Sequence, residues 1–279
     1  MRIGWIVTLL GRGLAWRLGR AIYMQARGEV ENAIQHNGEA QLVRTVVSAL
    51  ATDKPALCLW DVGGNLGEWS QVAVEASAKS GVAMRLDVFE PAPAAFEGLR
   101  ARFSGAIDVN IHPIALSDAP GAGKMAILAP TAGTNSLVAS DSDASNLIDV
   151  ELSTGAAMMD QIGLSHVDLI KIDAEGFDFA ILQGLRAKLE SASISVAQFE
   201  YNHCWIAQGA SLQSVFGLVD DLPYKVGRVT QAGVELYPHW NPEMDRYFES
   251  NYALVHESMI ERIGARMGSW NESNVFVAG

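Results

Sequence analysis

The sequence predicts an α/β domain: a mostly parallel sheet with helices on both faces, closed by an antiparallel hairpin near the C-terminus. Three observations carry this. Short apolar runs alternate with stretches of helical periodicity from residue 37 to residue 202. The first of these runs opens into a glycine-rich turn, "WDVGGNLGEWS" (60–70). Far downstream, "YKVGRVTQAGVELYP" (224–238) reads as a hairpin turning at Gln231-Ala232-Gly233.

The elements follow in order. Leu42, Val43, Val46, Val47 and Leu50 recur at helical spacing and predict a helix over 37–51. "ALCLWDV" (56–62) is a buried strand that ends at glycines, and 66–80 is the helix after it. A second strand over 82–91 stops at Pro91, a helix spans 93–103, and a third strand spans 107–116. The stretch 117–153 is rich in Gly, Ser, Ala and Asp and reads as loops with one or two short strands. A short helix over 153–163 has Ser153 or Thr154 as its cap. A fourth strand (167–176), a helix (177–191) and a fifth strand (194–202) complete the alternation, and "NVFVAG" is the last strand. The expected organisation is a helical, arginine-rich extension over 1–36 and one domain over 37–279.

Composition narrows the function. Of 279 residues, 49% are hydrophobic and 19% charged, enough for a substantial core. A net charge of −12 argues against nucleic acid as a partner. The two cysteines, Cys58 and Cys204, have neither metal-site spacing nor the number for a disulfide framework, which fits a reducing cytoplasm. Charge is segregated in one place. Residues 1–28 carry Arg2, Arg12, Arg17, Arg20 and Arg27 and no acid. Arginines interrupt its apolar residues too often for a membrane span, and no clean cleavage site marks a signal peptide. The segment is expected to be a helix packed on the domain or on a second subunit, or an amphipathic helix peripheral to the inner membrane.

In open parallel sheets ligands bind at the carboxyl ends of the strands. The turn after the first strand fails the nicotinamide pattern G-x-G-x-x-G in both registers. It fits D/E-x-G-x-G-x-G, the pattern of S-adenosylmethionine sites, at Asp61, Gly63, Asn65 and Gly67, with Asn replacing the middle glycine because Asn accepts positive φ. Glu90 ends the second strand, where a carboxylate can accept hydrogen bonds from a ribose diol. Lys171, Asp173 and Glu175 alternate at the end of the fourth strand and so lie on one side of it, facing the crevice.

These segments resemble the FkbM family of S-adenosylmethionine-dependent methyltransferases. "WDVGGNLGEWS", "VFEPAPAAFEGL" with "IALSDAPG", "TNSL" (134–137), "VDLIKIDAEGFDFAILQGL" and "AQFEYN" carry the resemblance, over about residues 37 to 205. It implies a Rossmann-like class I methyltransferase fold with a seven-stranded sheet, and methyl transfer from S-adenosyl-L-methionine, usually to a hydroxyl oxygen. It implies a turn of Asp61, Gly63, Gly64, Asn65 and Gly67 around the methionine and sugar, Glu90 on the ribose, and Ala115, Leu116 and Ser117 at the adenine. Asp173 then meets the reacting methyl. Candidates for a base that activates the acceptor are Asp173, Glu175, Glu200 and His203. No metal is assigned, although Asp173, Glu175 and Glu200 could hold a magnesium ion through oxygens. The expected acceptor is a small molecule or glycan hydroxyl, on which Trp205, Tyr237, Trp240, Tyr247 and Tyr252 could stack if they are not core. Two rivals are a nicotinamide oxidoreductase and a non-catalytic membrane-associated protein with a vestigial fold.

Overall fold

The computed structural model describes residues 4–127 and 147–279. Its centre is a sheet whose strands are buried on both faces, as a parallel sheet sandwiched by helices must be. Strand β1 (Ala56–Val62) shows the arrangement. Leu57 and Leu59 enter one apolar core, and Trp60 and Val62 enter the other. β1 pairs in parallel with β2 (Ala83–Phe89) on one side and with the later strand β7 (Val167–Ile172) on the other. β2 is followed outward by β3 (Val109–His112), and β7 is followed by β8 (Ile194–Tyr201). Every residue of β7 and β8 is buried.

The register places the site. Val62 is paired with Phe89 and with Ile172, and Ile172 is paired with Phe199. The loops that begin at residues 63, 90, 173 and 202 therefore leave the same edge of the sheet side by side. Helices α3 (Glu39–Ala51) and α4 (Glu68–Ser80) cover one face, while α6 (Gly155–Gln161), α7 (Asp178–Gly184) and α9 (Leu212–Val219) cover the other. Helix α5 (Pro93–Arg102) begins with its proline in the first turn, where no amide donor is needed.

Beyond β8 the sheet turns antiparallel. β11 (Ser250–His256) lies between β8 and β9 (Tyr224–Thr230), antiparallel to both. β9 and β10 (Gly233–Tyr237) form the expected hairpin. The order β3-β2-β1-β7-β8-β11-β9 is the Rossmann-like class I methyltransferase plan. β10, β12 (Arg266–Trp270) and β13 (Phe276–Ala278) extend it to ten strands among the described residues, where seven were expected.

Two local departures have physical causes. The single strand expected over 107–116 is two, because Pro113 cannot continue the ladder. β4 (Ala115–Ser117) leaves for a small second sheet with β5 (Gly121–Ala126) and β6 (Leu147–Thr154). These last two are the short strands expected in the central stretch; "TNSL" (134–137) lies outside the described residues. The helix expected over 177–191 divides after Gly184 into α7 and α8 (Arg186–Glu190). A Cβ at Gly184 would stand 2.0 Å from the Ser117 carbonyl oxygen, so only glycine lets α7 meet β4 this closely. Thr154 is the cap of α6, accepting from the Ala157 amide at 3.0 Å.

At the N-terminal end, α1 (Gly4–Leu10) and α2 (Arg12–Ala26) meet at Gly11, and α2 buries none of its residues. No helix among the described residues is long and apolar enough to cross a membrane.

Candidate active site

The turn after β1 is held by its neighbours on both sides. Gly63 and Gly64 donate their amides to the Phe89 carbonyl at 2.9 and 3.2 Å. Gly63 has φ 79°, and a Cβ there would lie 1.9 Å from the Asp173 carbonyl oxygen, so the close pairing of β1 with β7 requires glycine. Asn65 has φ 42°, the positive value that its replacement of glycine requires. Its amide donates to Glu90 Oε2 at 2.8 Å, while Glu90 Oε1 accepts from the Ala92 amide at 2.8 Å. Two backbone donors thus fix the Glu90 carboxylate at the lip of β2. Burial raises its pKa, and those two amides partly offset the rise.

Beneath the turn is Asp61, fully buried. One oxygen accepts from Ser70 Oγ at 2.6 Å; the other, Oδ1, has no hydrogen-bond partner and lies 3.7 Å from Lys171 Nζ. Lys171 also pairs with Asp173 at 3.0 Å. Burial works against the ammonium, but Asp173, Asp61 and Glu39 outweigh it and hold the Lys171 pKa above its usual value. Glu39, in the first turn of α3, accepts from Asn37, Gln198 and Asn251 at 2.5, 2.8 and 3.2 Å. Burial raises the pKa of Glu39 and of Asp61, and Lys171 opposes the rise in both.

The loop after β7 carries a second acidic group. Glu175 sits at φ 52° and Gly176 at φ 100°. Asp178 braces this loop from the start of α7, accepting from the Ala174 and Gly176 amides at 3.2 and 3.1 Å. Glu200, at the end of β8, accepts from Asn32 at 2.8 Å and from Asn202 at 2.6 Å. Asn32 also donates to Glu249. Burial, then the neighbouring acids, pushes Asp178 up to about 7, Glu175 up to about 8 and Glu200 up to about 10.

These groups surround a cavity of about 330 Å³. Of the residues singled out from sequence, Gly63, Gly64, Asn65, Glu90, Ala115, Leu116, Asp173, Glu175 and Glu200 line it. Asp61 and Gly67 lie below the turn, and a Cβ at Gly67 would press on Leu99 at 2.8 Å. Ser117 is buried, with its hydroxyl on Asp118 at 2.9 Å. His203 is exposed on the 3-10 turn His203–Gln208, outside the cavity lining. Among the described residues no group of three His, Cys, Asp or Glu side chains is placed to hold a metal ion. Trp205, Tyr237 and Tyr252 are buried core, and Trp240 and Tyr247 pack against that core. Sequence reading missed Asn32, Glu39 and Glu249. Glu39 reads as an ordinary acid in a first helical turn, and Asn32 and Glu249 carry no local signal.

A cavity at the carboxyl ends of β1, β2 and β7, with a fixed carboxylate on β2 and acidic walls around one buried lysine, suits a small ligand with a diol and a positive charge. No curated protein matches the chain. Solved structures with a similar fold include methyltransferase FkbM from Methylobacillus flagellatus KT, 14% identical, covering 72% of this chain with a TM-score of 0.44. The match spans 44% of that protein's length. MNMC2 from Aquifex aeolicus is also 14% identical, over 86% of this chain and 68% of that one, with a TM-score of 0.43. The SAH-bound Podospora anserina methyltransferase PaMTH1 is 10% identical, over 84% and 85% of the two chains, with a TM-score of 0.42. The model of the methyltransferase FkbM domain matches residues 61–248, from the aspartate beneath the glycine turn to the residue before the cavity-lining Glu249. By that match the chain belongs to the FkbM methyltransferase family.

Proposed function

We propose that this chain transfers a methyl group from S-adenosyl-L-methionine to a hydroxyl oxygen of a sugar, a glycolipid or a secondary metabolite. The observation that carries the cofactor is the Glu90 carboxylate, fixed by the Asn65 and Ala92 amides at 2.8 Å each and lining the cavity beside the glycine turn. Two backbone bonds leave lone pairs on both oxygens for a ribose diol. Ala115 and Leu116 supply an apolar wall for the adenine. When bound, S-adenosylmethionine supplies an activated methyl on a positively charged sulfur, and the acidic walls favour that charge.

The protein's share of the reaction is placement and proton management. Lys171 and Asp173 hold each other at the end of β7, which fixes the carboxylate beside the reacting group. Glu175, with its pKa up at about 8, is tuned to take a hydroxyl proton near neutral pH. Isothermal titration with S-adenosylmethionine, its demethylated product and NAD tests the cofactor; binding of NAD alone overturns it. A labelled-methyl screen over hydroxyl-bearing and amine-bearing acceptors tests the atom methylated, and transfer confined to amines rejects the hydroxyl reading.

A further inference from the structure

We propose that α1 and α2 form an interfacial arm that docks this protein on an anionic lipid bilayer. Leu14, Leu18 and Ile22 recur at every fourth residue of α2 and so form one stripe. They are 42%, 45% and 69% exposed. In α1, Trp5 and Leu9 have the same spacing and are 68% and 76% exposed.

The helix meets the body on its other side. The Arg20 guanidinium stands 5.0 Å from the Phe248 ring centroid, and the Tyr23 ring lies 6.0 Å from it. Arg20 is about 160° around the helix from Leu18, so the stripe faces away from the protein.

Charge selects the occupant. Residues 1–28 hold five arginines and no acid, while the remaining residues hold 15 of the 20 basic side chains and all 32 acidic ones. An anionic surface attracts the arm and repels the body, so it accepts one orientation. Arg27 is paired with Glu29 and Glu243 of its own chain, so arm-to-arm pairing of two copies would bring the other arginines of two arms together with no acid within either arm to offset them. Since no described helix can cross a bilayer, the arm lies along its surface with the apolar stripe in the acyl boundary.

The arm is also joined to the site. Arg228 donates to the Arg27 carbonyl at 2.8 Å and to Glu29 at 2.7 Å, which fixes the end of α2 to the body. A few residues later the same segment delivers Asn32 and Ile34 to the cavity wall. Docking through the arm therefore brings the cavity close to the bilayer.

The test is co-sedimentation of the full chain with vesicles. The expected result is binding to phosphatidylglycerol-containing vesicles, weaker binding to pure phosphatidylcholine, and a fall with added salt. Arg17→Gln lowers partitioning by about fivefold. Leu14→Asp, Leu18→Asp and Ile22→Asp together abolish it while leaving the melting temperature unchanged, because none of the three is buried. Failure to bind phosphatidylglycerol vesicles overturns the proposal. So does a wild-type dimer that the triple variant converts to a monomer, since the stripe then belongs to a second copy.

Discussion

Lys171→Met removes the one charge that the acids around the β1–β7 junction share, at little change in side-chain length. At an effective dielectric of about 20, the separations of 3.0 Å to Asp173 and 3.7 Å to Asp61 correspond to gross attractions of about 5.5 and about 4.5 kcal/mol. Desolvation of the ammonium offsets part of this, and Asp173 is partly exposed. Removing one partner of such a buried group costs about 3–5 kcal/mol. The loss depends on pH in a fixed direction. The pKa values of Asp61 and Glu39 are raised in the folded protein, so both carboxyls bind protons more tightly folded than unfolded. Stability therefore falls as pH climbs from their unfolded values, about 4, through their folded ones, and then levels. Without Lys171 the folded values rise further and the fall continues to higher pH. Urea denaturation of wild type and variant at pH 5 and pH 8 is the assay. The expected deficit is about 3–5 kcal/mol at pH 8 and smaller by at least about 1 kcal/mol at pH 5. A deficit equal at the two pH values, or below about 1 kcal/mol at both, refutes the reasoning.

Glu90→Gln is expected to weaken S-adenosylmethionine binding by about 1–3 kcal/mol in calorimetry and also to lower the melting temperature, because its NH2 must face the Asn65 or the Ala92 amide; equal affinity removes Glu90 from the ribose role. Turnover should rise with pH through about 8 as Glu175 ionises, and Glu175→Gln should flatten that limb; a limb that survives the substitution assigns the base elsewhere. Asn65→Gly should fold as well as wild type, whereas Asn65→Val, forced to φ near 42°, should lose about 1–3 kcal/mol in denaturant titration.

The sequence exposes the half of the fold whose signals are local. Strand β1 ends at the predicted Val62 because glycines follow it, and the spacing of Asp61, Gly63, Asn65 and Gly67 is the turn itself. Glu90 and Asp173 are legible because a strand's end fixes where they lie; Glu175, expected on the strand by alternation, lies three residues past Ile172 in a loop at φ 52°, and it is the loop that turns it to the cavity. What stays hidden depends on long-range pairing. β11 was not predicted as a strand, and its partners β8 and β9 give no hint that a third strand lies between them. Asn32, Glu39 and Glu249 are tied into the cavity wall by bonds to residues far along the chain. His203 follows a core strand, like the true lining residues, but the turn Asn202 begins carries it to the surface; the Asn202 side chain accepts from the Cys204 amide at 2.8 Å. Trp205 is drawn inward by its indole, which donates to the Glu200 carbonyl at 3.1 Å.

The late antiparallel strand also sets a timetable for synthesis. Asn32 bonds Glu249 across 217 residues, and Asn251 bonds Glu39 across 212. At about 5–20 residues per second, a ribosome needs about 10–40 s to pass from one member of such a pair to the other. During that interval β1, its glycine turn and β2 can form on the emerging chain, but Glu39 lacks Asn251 and the wall around Asn32 lacks Glu249. The nascent protein thus exposes its arginine arm early and completes its ligand pocket only when most of the chain has been made.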